Sequence, residues 1–310
     1  MTVMEERREW KYFDVDILEY DKSCDFHVFR GCTLENPRNN SVTFITEANI
    51  GYKHIFDNVE KCLIFWPEKC EIPNSIKKKN LVLKCENPHL EYCLFFRKYK
   101  IDNYVPLGEI KFCEGGYACS HNVRIGDNVC IFPFVLLNGN IHIGNNVYLG
   151  AGVKIIGDVY IGDNVVIKEN SVIGSDGLST DRDGEEKAAT MPQFGGVIIE
   201  DDVQIGANTT IARGAIDDTI IRKRTKIDSN CYISHNANIG EDVFIVGETM
   251  LFGSVTVENK AYISGNCTVK NGLTIEENAF VGMGTVVSHN VKANQTLYRK
   301  NIERYMPKVD

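Results

Sequence analysis

Seven histidines stand in the chain, and three of them fall in the same tripeptide, Ser-His-Asn: His121, His235 and His289. An imidazole with an unperturbed pKa of ~6.5 takes up or gives up a proton close to neutral pH, so each is a candidate general base. The tripeptide alone does not choose among them. A basic run, Arg222, Lys223, Arg224 and Lys226, supplies cations that can meet phosphate groups or line a solvated turn. Eleven cysteines occur without a Cys-x-x-Cys pair. Zinc and a disulfide framework are therefore disfavoured, and the thiols read as small buried hydrophobes.

A repeat must position these side chains. From Ile125 an aliphatic residue returns every six positions, through Ile131, Leu137, Ile143, Leu149, Ile155, Ile161, Ile167 and Ile173. After an interruption the same period holds at Ile199, Ile205 and Ile211, slips near Asp217 and Asp218, and runs from Ile221 to Val281, making about twenty hexads. A period of six is neither helical nor simple alternation. It fits a short strand and a tight turn, with glycine or asparagine supplying the turn dihedrals in sequences such as IGDN and IGED. The expected fold class is mainly β, a parallel β-helix whose aliphatic residues point into a narrow core.

Residues 1–106 carry no hexads. Segments 41–46, 61–66 and 81–85 read as strands and 89–99 as a helix with apolar residues on one face, which predicts a separate small α/β domain. The β-helix is expected over 107–287, with an irregular first coil around Cys113 and Cys119. A polar excursion at 174–197 is too long for a corner and is a candidate wall for a site. Residues 288–310 are expected to form a cap or tail.

A chain of 310 residues, 43% hydrophobic and 25% charged, has the makings of a soluble globular protein of two domains. Its net charge of −8 argues against non-specific nucleic-acid binding through phosphate neutralisation. The opening MTVMEERREWKYFDVD is charged where a signal peptide needs an apolar run, and no stretch approaches a transmembrane span, so a cytoplasmic location is expected.

Three segments resemble the UDP-3-O-acylglucosamine N-acyltransferases of lipid A, and hence lipopolysaccharide, biosynthesis, a branch of the hexapeptide-repeat acyltransferases. They are residues 172–221, above all TTIARGAIDDTII at 209–221; IDSNCYISHNANIG at 227–240; and SVTFITEANIGYKHI at 41–55 together with CENPHLEYCLFF at 85–96. The resemblance implies a left-handed coil of three hexads and a homotrimer with active sites at subunit boundaries. It implies no metal and no bound cofactor. An acyl carrier protein or an acyl-coenzyme A thioester would give its acyl group to the amine of a UDP-linked amino sugar.

On this resemblance His235 is the general base, since it alone of the three lies mid-helix in a matching segment. Asp228, seven residues earlier, corresponds to an aspartate that orients the base. Gly253, eighteen residues later and so one coil on, corresponds to a backbone N–H that holds the thioester oxyanion. Phe44 and Tyr52 correspond to an aromatic pair around uracil, Asn49 to the residue that reads its polar edge, and Asn236 to a substrate contact. Where the family has a second histidine after Asn-Gly, this chain reads Asn271-Gly272-Leu273, which leaves the substrate open. The ending VVSHNVKANQTLY at 286–298 looks more like sugar acetyltransferases that use acetyl-coenzyme A. Two other readings therefore stand beside the first: a nucleotide-sugar N-acetyltransferase for surface polysaccharide, and a catalytically silent hexapeptide-repeat scaffold.

Overall fold

Each hexad folds as a two-residue strand and a turn, as in Lys226–Ile227, Tyr232–Ile233 and Asn238–Ile239. These strands pair in parallel with the ones eighteen residues later, Lys226 with Phe244, Tyr232 with Met250 and Asn238 with Thr256. Three hexads therefore make one coil, and the coil has three faces. The aliphatic residue of each hexad points inward; Ile155, Ile161, Ile233, Ile239 and their counterparts are fully buried. Each such side chain contributes roughly 1.5–3 kcal/mol of apolar burial.

The computed structural model describes residues 13–34, 36–99, 101, 109–183, 185 and 187–299. Turn chemistry explains why asparagine recurs. Asn128, Asn146, Asn164 and Asp202 adopt φ of 56, 57, 59 and 61°, the left-handed region that short polar side chains tolerate. Their side chains also bond from coil to coil: Asn128 donates to Asn146 at 2.8 Å, Asn146 to Asn164 at 3.2 Å and Asn164 to Asp202 at 3.2 Å.

Two strands depart from the two-residue rule. Leu136–Ile143 and Lys154–Ile161 run unbroken around one edge. Gly139 and Gly157 sit opposite each other at the bend, where a Cβ on Gly139 would lie 2.1 Å from the Gly157 carbonyl oxygen. The first coil is irregular: Ile110–Phe112 pairs antiparallel with Ala118–Ser120, and the Cys113 and Cys119 sulfurs come within 3.5 Å.

At the other end the hexads continue past the expected boundary at 287. Thr296–Leu297 pairs with Phe280–Val281, and Val291 bridges Ile275. These partners are sixteen residues apart instead of eighteen, a slip of two that hides the last coil from a fixed six-residue period. The part of the expected tail at 300–310 lies outside the described residues, as does most of the 101–109 connection.

The other compact unit comprises Met1–Leu107, Asp176–Gly196 and Arg213–Asp218. Its parallel sheet runs in the order Arg30–Gly31, Ser41–Phe44, Leu63–Pro67, Leu81–Cys85. The helix Pro88–Lys98 follows, begun by the Asn87 side chain, which accepts the Leu90 N–H at 3.1 Å, and by proline in the first turn. It buries Tyr92, Cys93, Phe95 and Phe96. A stretch of 3₁₀ turns, Glu47–Asn58, connects two of the strands.

The excursion at 174–197 is not the polar wall its composition suggests. Ala189, Met191 and Phe194 are buried in the core of this α/β unit, with the Phe194 ring 5.2 Å from that of Phe96. Three apolar anchors in an otherwise polar segment make it a third chain segment of the unit. Among the described residues no helix is long and apolar enough to cross a membrane.

Candidate active site

Pairing between coils sets one edge of the β-helix in register. Residues 119 and 137, 211 and 233, 233 and 251, 251 and 269, and 269 and 287 are partners, so the residues two places further on also stack. All three Ser-His-Asn histidines therefore belong to the same edge, with Gly253 and Asn271 between His235 and His289. Burial separates them: His121 and His289 are exposed, whereas His235 is half-buried.

His235 is held from two sides. Its Nδ1 lies 3.0 Å from Oδ1 of Asn236. An amide oxygen only accepts, so Nδ1 carries the proton and Nε2 of the neutral ring is left with a lone pair. Asn236 adopts φ 59°, and its own N–H donates to Thr219 Oγ1 at 3.0 Å, which fixes the residue that fixes the ring. On the other side the imidazole overlies Gly253, where a Cβ would meet both Cε1 and Nε2 at 2.6 Å. The Ser254 N–H donates to the His235 carbonyl at 2.9 Å and locks the two coils in register. Among the described residues nothing accepts the Gly253 N–H. A proton acceptor and an unsatisfied N–H donor thus stand one coil apart on one edge.

Asp228 does not join them within the chain. It follows Ile227, and so lies on the preceding edge, where its carboxylate accepts the Ser229 N–H at 2.8 Å and the Gly247 N–H at 3.2 Å. Within the chain it has a turn-capping role, and the group hydrogen-bonded to the His235 ring is the amide of Asn236. Asn236, expected as a substrate contact, bonds the imidazole within the chain. Its position directly after His235 was the available signal.

In the α/β unit Phe44 ends the Ser41–Phe44 strand, half-buried, with its ring centroid 5.1 Å from both His89 and Tyr92. Asn49 and the 58%-exposed Tyr52 lie on the 3₁₀ segment that follows. All three are thus at the carboxyl end of a parallel strand, the usual place for a ligand in such sheets. They share this locality, but Tyr52 makes no ring contact among the described residues. A feature with no sequence signal joins them: His89 Nδ1 lies 2.9 Å from Asp181 Oδ2, ninety-two residues away in the chain.

Comparison with known proteins bears on the β-helix. The model of the bacterial transferase hexapeptide (six repeats) matches residues 122–156 and 140–175. A UDP-3-O-acylglucosamine N-acyltransferase of Francisella tularensis subsp. holarctica is 51% identical over 79 residues, 26% of this chain and 23% of that protein. One from Coxiella burnetii is 46% identical over 89 residues, 29% of this chain and 26% of the relative. Over these stretches the chain is similar to bacterial hexapeptide-repeat transferases and to these acyltransferases. The aligned stretch spans about a quarter of the length of each curated relative. Among solved structures, the UDP-N-acetylglucosamine acyltransferase of Francisella novicida matches with a TM-score of 0.55 and 24% identity, over 60% of this chain and 66% of that one. That of Bacteroides fragilis matches at 0.53 and 23%, over 59% and 70%. This hexapeptide-repeat protein accordingly has the left-handed parallel β-helix.

The basic run of the hexapeptide-repeat protein is spoken for. Arg222 pairs with Glu200 at 3.5 Å, Lys223 with Asp201 at 2.9 Å, and Arg224 with Asp242 at 2.7 Å and Glu241 at 2.5 Å, while Lys226 donates to the Asp202 carbonyl at 2.6 Å. Hydrogen bonds donated by Arg224 to Asp242 and Glu241 raise its pKa further still. These cations form an ion-pair ladder on a turn instead of an open phosphate site. An open pocket of about 290 Å³ is lined by Arg222, Asn238 and Glu277 and by none of His235, Gly253, Phe44, Asn49 and Tyr52. No group of three or more His, Cys, Asp or Glu able to hold a metal occurs among the described residues.

Proposed function

We propose that this protein is an N-acyltransferase that moves an acyl group from a thioester to the amine of a UDP-linked amino sugar. The observation that carries the reading is the half-buried imidazole of His235, its Nδ1 hydrogen-bonded to Asn236 and its ring over Gly253, whose N–H has no partner among the described residues. In the proposed reaction Nε2 takes the proton of the attacking amine as its nitrogen bonds to the thioester carbon. The carbonyl oxygen gains negative charge, which the Gly253 N–H stabilises; a donor so placed is worth roughly 10²–10³ in rate. Collapse breaks the C–S bond, and the imidazolium returns its proton to the departing sulfur.

The substrate class draws on the names of the relatives, UDP-3-O-acylglucosamine N-acyltransferases, and on Phe44, Asn49 and Tyr52 as the residues that receive uridine. The donor is an acyl carrier protein or an acyl-coenzyme A thioester, without a resident cofactor or metal, and the protein acts in the cytoplasm as a homotrimer. A row of rings supports association: Phe244, Tyr262, Phe280 and Tyr298 follow one another along one face with centroids 5.8, 5.2 and 6.2 Å apart, all exposed but the half-buried Phe280, and neighbouring Met283 is 77% exposed. Contiguous apolar surface of this kind marks an interface.

The test is to incubate the protein with UDP-amino sugars and a panel of acyl carrier protein and acyl-coenzyme A thioesters and to follow the sugar by mass spectrometry. Acylation at the amine supports the reading. No acylated sugar with any donor leaves the silent scaffold.

A further inference from the structure

Asp181 and His89, to which the proposed acyl transfer gives no role, form a connected group with Phe44 in the α/β unit. The hairpin of Thr180–Arg182 with Ala188–Thr190 brings Asp181 to the start of the Pro88–Lys98 helix. There Asp181 Oδ2 is 2.9 Å from His89 Nδ1 and accepts from Asn87 Nδ2 at 3.2 Å. A second anchor, Arg97 to Asp183 at 3.3 Å, holds the same hairpin further along the helix. Burial pushes the Asp181 carboxyl up, but hydrogen bonds from His89, the Arg182 N–H and Asn87 outweigh it and keep the group below the usual range, hence ionised. A carboxylate only accepts, so it draws the proton of neutral His89 to Nδ1 and leaves Nε2 with a lone pair. The His89 side chain remains 31% exposed, and Nε2 has no partner among the described residues. Its ring meets that of Phe44 at 5.1 Å and 61°.

We infer that His89 is a specificity-determining residue for a pyrimidine base packed on Phe44, and that Asp181 is its positioning residue. Nε2 presents an acceptor to the N3–H of uracil. Cytosine has an acceptor at N3, so two lone pairs would face each other. The inference rests on the proposed uridine-nucleotide reading and adds to it the group that separates uridine from cytidine.

Calorimetric titration of the full chain with UDP, CDP and N3-methyl-UDP tests it. The unaltered protein is expected to bind UDP at least tenfold more tightly than CDP or the methylated nucleotide, the size of one well-made polar discrimination. His89→Ala should weaken UDP about tenfold, leave CDP nearly unchanged and so collapse the ratio. His89→Gln, which keeps an acceptor, should restore part of it. Asp181→Asn, with Arg97–Asp183 intact, should narrow the ratio less than His89→Ala does, and it carries the test if His89→Ala fails to fold. A merely structural role for either residue would weaken both nucleotides together. An unchanged ratio in a folded His89→Ala protein that still binds UDP overturns this inference and leaves the uridine reading standing. Absence of UDP binding to the unaltered protein overturns both.

Discussion

The imidazole of His235 covers Gly253, one coil later, so closely that a Cβ on the glycine would sit 2.6 Å from both Cε1 and Nε2. Gly253 does not have a positive φ, so the backbone accepts alanine and the methyl group must displace the ring. A shift of about 1 Å in a reacting group costs ~10²-fold in rate. Gly253→Ala should lower kcat by about that factor with little change in nucleotide-sugar affinity. Steady-state kinetics paired with equilibrium binding separates the two.

Asp228 caps two backbone N–H groups, of Ser229 and of Gly247 in the next coil. Its loss leaves both without a protein partner, at a cost of roughly 1 kcal/mol by analogy with other side-chain caps. Asp228→Ala should lower the free energy of unfolding by that amount while reducing turnover much less than His235→Ala. Urea unfolding and a turnover assay on one preparation check both halves.

How much of this was legible in the sequence depends on the range of the signal. Ile233 and Leu251 repeat at fixed spacing, so the coil and the stacking of Gly253 on His235 follow from counting. Asn236 stands beside His235 and was visible, but its hydrogen bond requires a left-handed backbone that only the folded turn displays. Asp228 stands seven residues before His235, more than one hexad, so a corner separates the two side chains within one chain. The slip at Val291 hid the last coil, and Met191 and Phe194 were too few among polar neighbours to betray the role of the excursion. His89 and Asp181 meet across ninety-two residues, beyond any local pattern.

His142 stacks flat on Tyr160, one coil away, at 5.1 Å and 4°, with its Nδ1 buried and without a hydrogen bond among the described residues. Burial first, and Arg124 second, hold its pKa below the ordinary imidazole value, with Asp163 acting in the opposite sense. The unfolded chain then binds the proton more readily than the folded one. Stability is fully present above the unfolded pKa of ~6.5 and falls as the pH drops through the lower folded value. Thermal unfolding between pH 7.5 and 5 should show this loss, and His142→Phe, which keeps a ring on Tyr160, should flatten that part of the profile. An unchanged slope in that variant assigns the loss to other groups.

The ring ladder Phe244, Tyr262, Phe280 and Tyr298, exposed at all but Phe280, should be covered in solution. Light scattering at micromolar concentration is expected to give three times the chain mass. A mass of one chain would contradict the trimer, and Phe280→Asp should shift the equilibrium toward smaller species if this face is the covered one.

The central claim is that His235 takes the proton of the attacking amine, and the turnover of His235→Ala tests it most directly. With a UDP-amino sugar and the thioester that the unaltered protein uses, kcat should fall by roughly 10²–10⁴-fold, the usual worth of a general base. Nucleotide-sugar binding should remain, while His121→Ala and His289→Ala, exposed on the same edge, should turn over nearly as the unaltered protein does. A folded His235→Ala protein that acylates the sugar at the original rate would contradict the account.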